Sequence, residues 1–139
     1  MVMTTKTKPL GSFNTTVKAE WLDNNDRRMC LMEDLRYTDP SGKVWDAPAG
    51  SIIDGASIPK FLWRILGSPF VGRYRRSSVI HDVQCEEKEY SSKEVHRMFY
   101  DGMLTDSVPR WKARLMYWGV KLGGPKFPGV MKESKEEGE

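Results

Sequence analysis

Cysteine is scarce in this chain, and long apolar runs are absent. The 139 residues include only two cysteines, Cys30 and Cys85, too few for the disulfide framework of a small secreted domain. We therefore expect both to be reduced, buried thiols. No apolar run approaches the roughly 18 residues that a membrane span needs, and the polar N-terminus lacks the apolar core of a signal peptide. The sequence predicts a cytoplasmic protein with no transmembrane segment and no signal-peptide secretion.

Acidic residues are missing from two long stretches of the chain. None occurs between Gly55 and His81 or between Ser107 and Met131, although both stretches contain several lysines and arginines. The tail after Met131 is acidic, and the net charge is +3. This asymmetry favours an anionic partner such as an anionic lipid surface. Solvated helix faces would produce the same pattern, so both interpretations stay open.

The first third of the chain predicts an antiparallel sheet. Apolar and polar residues alternate from Thr15 to Leu22, and the alternation resumes from Met29 to Tyr37. Lys43 to Ala47 supplies a short third strand. Turn-forming residues separate these strands at 23–26 and 39–42. We expect a three-stranded meander.

The remainder of the chain predicts helices. A short helix begins at Ile58-Pro59 and ends at Gly67-Ser68-Pro69, and a second runs from about Gly72 to Lys88. Ser91 and Glu94 form a capping box for a third helix. The last helix begins around Pro109 and ends at Gly123-Gly124-Pro125.

Two of these helices carry apolar stripes that we expect to be buried. In the third helix the stripe is Val95, Met98, Phe99, Gly102 and Met103; in the last it is Trp111, Leu115, Trp118 and Leu122. The expected fold is α+β, a small antiparallel three-stranded sheet followed by three to four packed helices. One domain would span residues 13–124, between a flexible N-terminus (1–12) and a charged C-terminal tail (125–139).

A histidine and an aspartate stand side by side in the second helix. His81 and Asp82 lie about 100° apart on a helix, so both can border one cavity, and they are our candidate catalytic pair. Cys85 is four residues further and shares the face of His81. His96 follows after a short connection, so it can face His81 from an antiparallel helix. We assign Cys85 and His96 supporting roles.

The loop Asp54-Gly55-Ala56-Ser57 is the third component of the candidate site. An Asp-Gly pair often serves only a turn, but Asp54, Gly55 and Ser57 can also face the His-Asp pair. Oxygen ligands from Asp54, Asp82 and loop carbonyls would suit calcium. His81, Cys85 and His96 would instead suit zinc. Calcium is the first cofactor candidate and zinc the second.

Aromatic and basic residues also mix near the first two helices. Trp63, Arg64, Phe70, Tyr74 and Arg76 can stack on bases and bind phosphates, or lie at a membrane surface. No nucleic-acid-binding motif accompanies them, and a core requires most of these aromatics. We do not expect nucleic-acid binding.

Several motifs, in the same order along the chain, resemble those of a protein family common in phages and prophages, the domain of unknown function numbered 1353. They are Pro48-Ala49-Gly50, the run Asp54 to Pro59, Phe61-Leu62-Trp63, Ser78 to Asp82, and Val108 to Trp111 with Tyr117-Trp118. The resemblance covers roughly residues 15–122. It implies a phage or mobile-element setting, in the host cytoplasm or on the virion, and assigns no activity.

A weaker resemblance is to the phospholipases A2, whose catalytic helix also carries His-Asp after a calcium loop. It implies that His81 activates water while Asp82 holds a calcium ion that polarises an ester carbonyl. Two positions depart from that pattern. Cys85 stands where a tyrosine is expected, and His96 stands where a supporting carboxylate is expected. A second imidazole cannot supply the negative charge that stabilises a protonated histidine.

Three functional hypotheses follow. The first, which we favour, is a phage-associated structural or interaction protein, a virion or tail component or an accessory factor that binds a virion or host protein. The second is a metal-dependent hydrolase of lipid esters that uses His81 and Asp82. The third is a metal-stabilised binding module without turnover. The sequence leaves open whether the protein is an enzyme.

Overall fold

The computed structural model describes residues 10–22, 25–55, 57–66 and 72–129. Several sequence-based expectations lie outside these ranges: most of the flexible N-terminus, the start of the turn at 23–26, the interruption at Gly67-Ser68-Pro69, and the tail from residue 130 onward. Within them the prediction of an α+β fold with antiparallel strands and packed helices is confirmed.

The strands form two small sheets, each antiparallel and three-stranded. The first has the order β1-β4-β5 and consists of β1 (Ser12–Phe13), β4 (Leu35–Thr38) and β5 (Val44–Ala47). The second has the order β2-β3-β6 and consists of β2 (Ala19–Leu22), β3 (Asn25–Leu31) and β6 (Ile52–Ile53). The alternating pattern places Leu35, Tyr37, Trp45 and Ala47 in the core, as half-buried strands require.

The predicted strand from Met29 to Tyr37 is divided between the two sheets. β3 ends at Leu31 and β4 begins at Leu35. Between them Met32 is exposed, and Asp34 Oδ1 accepts the backbone N–H of Ala49 at 2.8 Å. The chain therefore leaves one sheet and enters the other, while Leu31 and Leu35 both stay buried.

Four α-helices follow within the described ranges. They are α1 (Lys60–Leu66), α2 (Arg75–Glu87), α3 (Ser92–Thr105) and α4 (Arg110–Gly123), and a 3-10 turn at Gly72–Tyr74 leads into α2. None of them is long and apolar enough to cross a bilayer.

Helix α2 lies at the centre of the molecule. It contacts α3 and also the strands β4, β5 and β6. Every residue from Ser77 to Cys85 is consequently buried, although several are polar. This position places both His81 and Asp82 in the protein interior.

Helix α3 matches the sequence-based prediction closely. Ser91 Oγ accepts the N–H of Glu94 at 3.2 Å, and the Glu94 carboxylate accepts the N–H of Ser91 at 3.2 Å, which is a complete capping box. The predicted apolar stripe is buried. Because the α2–α3 connection is short, the two helices are antiparallel neighbours, and His96 on α3 faces α2.

The predicted buried stripe of α4 is wrong. Trp111 is 63% exposed, Trp118 53% and Leu122 75%, and Leu115 is half-buried. The helix buries a different set of residues: Ala113, Met116, Gly119 and Val120.

A close contact with α1 explains which side of α4 faces inward. A Cβ atom placed on Gly119 would lie 2.4 Å from Leu62 Cδ1, so only glycine fits there without displacing the buried Leu62. The helix packs inward through Ala113, Met116, Gly119 and Val120, and Trp111, Trp118 and Leu122 point outward.

The contact between α2 and α3 also depends on a glycine. A Cβ on Gly102 would lie 3.0 Å from Ser77 Cβ and 3.4 Å from the Phe13 ring. We expect Gly102→Val to lower the free energy of unfolding by about 1–3 kcal/mol, since overpacking a tight interface costs that much. Urea unfolding measures the change, and Lys93→Val on the exposed face of the same helix is the control. Equal stability of the two variants would contradict the close packing of α2 on α3.

Candidate functional site

The loop after β6 encloses the carboxylate of Asp82. The N–H of Asp54 donates to Asp82 Oδ2 at 3.1 Å, and the N–H of Ser57 donates to Oδ1 at 3.3 Å. Gly55 has a φ of 77°, a left-handed conformation that glycine adopts readily, and its carbonyl accepts the N–H of Ile58 at 3.1 Å. The predicted loop residues therefore do lie against α2.

The loop presents N–H groups to Asp82 where the calcium hypothesis expected carbonyl oxygens. Burial, the largest cause, raises the pKa of Asp82, and the N–H groups of Asp54 and Ser57 oppose that shift. Calcium needs six to eight oxygen ligands, whereas hydrogen-bond donors carry partial positive charge. The described contacts thus favour Asp82 as an anchor for the loop over Asp82 as a calcium ligand.

The two histidines of the chain meet beneath this loop. His81 Nε2 lies 2.9 Å from His96 Nδ1, and the other nitrogen of His81, Nδ1, lies 3.0 Å from Ser57 Oγ. The other nitrogen of His96, Nε2, lies 3.2 Å from the carbonyl oxygen of Pro125. The Phe99 ring covers His81 with ring centroids 4.5 Å apart. His81 is 0% exposed and His96 2%.

The proton positions in this chain of hydrogen bonds follow from its end. A carbonyl only accepts, so His96 Nε2 carries a hydrogen and donates to Pro125. In neutral His96 the Nδ1 atom then has a lone pair, and His81 Nε2 must donate to it. His81 Nδ1 is therefore the acceptor for the Ser57 hydroxyl. The three hydrogen bonds therefore all run in one direction: Ser57 donates to His81, His81 donates to His96, and His96 donates to the carbonyl of Pro125.

Cys85 completes a group of three soft donors. Its Sγ atom lies 3.7 Å from His81 Nε2. One donor atom from each of His81, Cys85 and His96 lies within 4.8 Å of the other two, and all three residues are buried. Tetrahedral zinc separates its nitrogen ligands by about 3.3 Å and a nitrogen from a sulfur by about 3.6 Å. The distance from Cys85 Sγ to His81 Nε2 already fits, and the two nitrogens, 2.9 Å apart, need to separate by about half an ångström.

Burial keeps all three donors neutral in the metal-free protein. It lowers the pKa of His81 well below 6.5, and a protonated His96 would lower it further. Burial also lowers the pKa of His96, where Lys126 and Lys121 add to the effect and the Pro125 carbonyl opposes it. The pKa of the Cys85 thiol rises to about 12, chiefly through burial.

The structure sorts the predicted site residues into two adjacent groups. His81, Cys85, His96 and Ser57 form one, and Asp82 with the backbone of Asp54 forms the other. The Pro125 carbonyl was not predicted, because only the path of the chain after α4 brings it to His96. There the Ser92 N–H donates to the Phe127 carbonyl at 2.9 Å, which holds the returning segment against the start of α3.

A surface cavity of about 360 Å³ borders the second group alone. Its walls are Arg28, Ser51, Ile52, Asp54, Asp82, Val83, Glu86 and Glu87. Asp82 thus lies between this cavity and the buried histidines. His81 and Ser57 are not among the lining residues.

Comparisons with known proteins give a family but no activity. The family described as "Protein of unknown function (DUF1353)" matches residues 29–120. The uncharacterized protein y4jT of Sinorhizobium fredii is 43% identical over 118 residues, which cover 84% of this chain and 35% of the relative. The uncharacterized protein y4iH of the same organism is 39% identical over 97 residues, covering 70% of this chain and 41% of the relative. The chain thus spans less than half the length of these curated relatives, and no solved structure matches it.

The hydrogen-bond order predicts the protonation of both histidines in chelator-treated protein. Each should be neutral and carry its hydrogen on Nε2, which long-range proton–nitrogen NMR spectra distinguish from the Nδ1 form.

The neutral histidines also predict how stability depends on pH. Below the ordinary histidine pKa of about 6.5 the histidines of the unfolded chain bind protons, whereas the buried histidines of the folded protein do not. The free energy of unfolding should therefore fall as pH falls through that value. An Nδ1–H signal from His96, or stability that rises on acidification from about pH 7 to about pH 5.5, would contradict the assigned order.

Proposed function

The chain belongs to the DUF1353 family, and we propose that it is a small interaction protein whose core holds a soft divalent metal ion, zinc being the first to test. The observation that carries the proposal is the approach of His81 Nε2, His96 Nδ1 and Cys85 Sγ to within 4.8 Å of one another in the buried interior. Two imidazoles and a thiolate are typical zinc ligands.

The groups around these donors also suit a metal. Histidine ligands of metals usually donate their other N–H to a fixed oxygen, which orients the ring. Pro125 O already accepts from His96 Nε2. Ser57 Oγ, 3.0 Å from His81 Nδ1, can accept as well as donate. Binding therefore requires the His81 hydrogen to move from Nε2 to Nδ1.

Charge balance supports the same ion. A dication binds Cys85 as the thiolate, so the raised pKa of the free thiol means that binding releases one proton. The carboxylate of Asp82 is close enough to raise the pKa of Cys85. Dication, thiolate and carboxylate would together leave the buried region without net charge.

A metal here would connect α2 to α3 and stabilise the fold. His81 and Cys85 come from α2 and His96 from α3, and these are the helices against which the Asp82 loop and the segment at Pro125 pack. The donors are buried and do not line the nearby cavity, which supports a structural ion; the three protein ligands leave one of the four zinc positions for water. A surface supported in this way can bind a partner without any catalytic group.

The proposed biological setting is that of a phage or prophage. It rests on the motif resemblance given above, from Pro48-Ala49-Gly50 to Tyr117-Trp118. We propose a virion or host protein as the partner, met in the host cytoplasm or on the virion as a tail component or accessory factor.

Metal titration of chelator-treated protein tests the site. Zinc should raise the melting midpoint, by about 2.7 kcal/mol of stability at a hundredfold excess over its dissociation constant. Cys85→Ser and His96→Gln should each reduce that shift strongly. Cys30→Ser is the matched control, since Cys30 is a free, half-buried thiol outside the cluster, and it should respond like the original protein.

Cobalt and proton release make the same test independent of stability. Cobalt bound at the site should give sulfur-to-metal charge-transfer absorption that Cys85→Ser removes. Calorimetry in buffers of different ionisation enthalpy should report release of about one proton per zinc ion. Absence of a midpoint shift together with absence of cobalt absorption would reject the proposed metal site.

Hydrolysis of a lipid ester is the second candidate function, and the donor order at Ser57 favours it. Ser57 Oγ donates to His81 Nδ1, so His81 can take the hydroxyl proton while Ser57 attacks an ester carbonyl, and His96 Nδ1 holds the far side of the ring. His81 would then give that proton to the alcohol as the ester C–O bond breaks, and water would hydrolyse the acyl-serine. This assigns the reactive group to Ser57 and gives Asp82 the task of fixing the loop. Ser57 is only 5% exposed, so a substrate would need the loop to move.

An ester hydrolysis assay separates the two functions because they need different forms of His81. Zinc on Nε2 leaves the hydrogen on Nδ1, and His81 can then no longer take the proton of the Ser57 hydroxyl. If hydrolysis is the function, Ser57→Ala should abolish turnover of nitrophenyl and phospholipid esters, a fluorophosphonate probe should label Ser57, and zinc should inhibit. Ser12→Ala, an exposed serine on β1, is the control. Lack of turnover and of labelling in chelator-treated protein would exclude the hydrolase.

A further inference from the structure

The exposed side of α4 combines apolar and cationic side chains. We call it the α4 outer face: the exposed Trp111, Trp118 and Leu122 with the half-buried Leu115 between them, together with Arg110, Arg114 and Lys121. Trp111, Trp118 and Leu122 are each more than half exposed. Large apolar side chains that cluster on a surface usually mark a binding site, whereas single ones do not.

The two components of the face lie side by side. At 100° per residue the four apolar residues fall within a stripe about 60° wide, and Arg110, Arg114 and Lys121 form a row along one edge of it. The Lys121 ammonium lies 4.9 Å from the centroid of the Trp118 ring. The face therefore has an apolar strip and a cationic border.

The neighbouring surface extends both components. A Cβ on Gly123 would lie 3.7 Å from Phe61 Cε1, so the 49% exposed Phe61 continues the apolar strip onto α1. On the other side, a groove of about 720 Å³ has Arg97, Arg110 and Arg114 on its walls beside Trp118. Asp101, the acid of this groove, pairs with Arg97 at 3.4 Å.

We propose that the α4 outer face binds the surface of an anionic lipid bilayer. Tryptophan and leucine would enter the boundary between headgroups and acyl chains, where amphipathic helices with a basic border reside. The arginines and Lys121 would contact lipid phosphates, and the groove beside Trp118 has room for a headgroup. No acid occurs from Ser107 to Met131, so all the charged side chains that α4 itself contributes are positive.

A bilayer suits this face better than a second copy of the chain. An antiparallel pair of α4 helices packed through their stripes would bring two rows of like charge close together, which is unfavourable. An anionic bilayer suits both the apolar strip and the cationic border, because its acyl chains can bury the apolar side chains while its phosphates pair with the basic ones.

Vesicle binding tests the proposal with the full-length chain. Co-sedimentation and the blue shift of tryptophan fluorescence should show binding to vesicles containing phosphatidylglycerol and little binding to phosphatidylcholine alone. Added salt should weaken binding, since it screens the attraction. Arg114→Gln should lower the partition coefficient about fivefold, and the double variant Trp118→Ser with Leu122→Ser should abolish binding.

Matched controls lie on strands β2 and β3 of the second sheet. Trp21 is 56% exposed on β2, close to the exposure of Trp118, so Trp21→Ser should leave binding unchanged, as should Arg28→Gln. Absence of binding to anionic vesicles, or binding that the α4 variants do not reduce, would overturn the proposal. A dimer in light scattering that Leu122→Ser dissociates, without vesicle binding, would assign the face to a second copy and would overturn it as well.

Discussion

The burial of α2 on both sides is the constraint on which the rest of the structure depends. The helix lies between the sheets and α3, and a buried polar group without a partner costs about 1–3 kcal/mol. Most of its polar side chains are therefore bonded to neighbouring residues, and the buried polar atoms left without a partner on this helix are Ser78 Oγ and Gln84 Oε1. Ser77 Oγ donates to Tyr74 O at 3.0 Å, and Gln84 Nε2 donates to Asp46 O at 2.7 Å. The loop at Asp82 and the imidazole pair at His81 satisfy the same requirement.

This constraint explains why the candidate site is built from backbone as much as from side chains. Asp82 is held by two N–H groups of the loop, and His96 by the carbonyl of Pro125. The segment at Pro125 follows α4, so the position of α4 on α1 helps to fix the imidazole pair. The site in α2 and α3 and the outer face of α4 are thus separate surfaces of one packed arrangement, one buried and one exposed.

Much of this arrangement could be predicted from local patterns. The capping box at Ser91 and Glu94 and the stripe of α3 depend on neighbours within one helix, and both were predicted correctly. The facing of His81 and His96 followed from the short connection between their helices. The stripe of α4 was predicted wrongly because the helix carries two apolar rows at helical spacing. The contact between Leu62 of α1 and Gly119 determines which row of α4 is buried, and the sequence pattern of α4 does not show this contact. The N–H groups at Asp82 also escaped prediction, since a loop's side chains do not show which way its peptide groups point.

The sequence by itself determined the α+β class, the start of α3 and the end of α4, and the residues able to do chemistry, because these depend on residue type and on spacing along the chain. It also determined the family, through motifs in order. Only the tertiary structure decided which nitrogen of each imidazole meets which partner and which row of α4 is exposed. Those outcomes depend on distances between elements far apart in sequence, and such distances are set by packing.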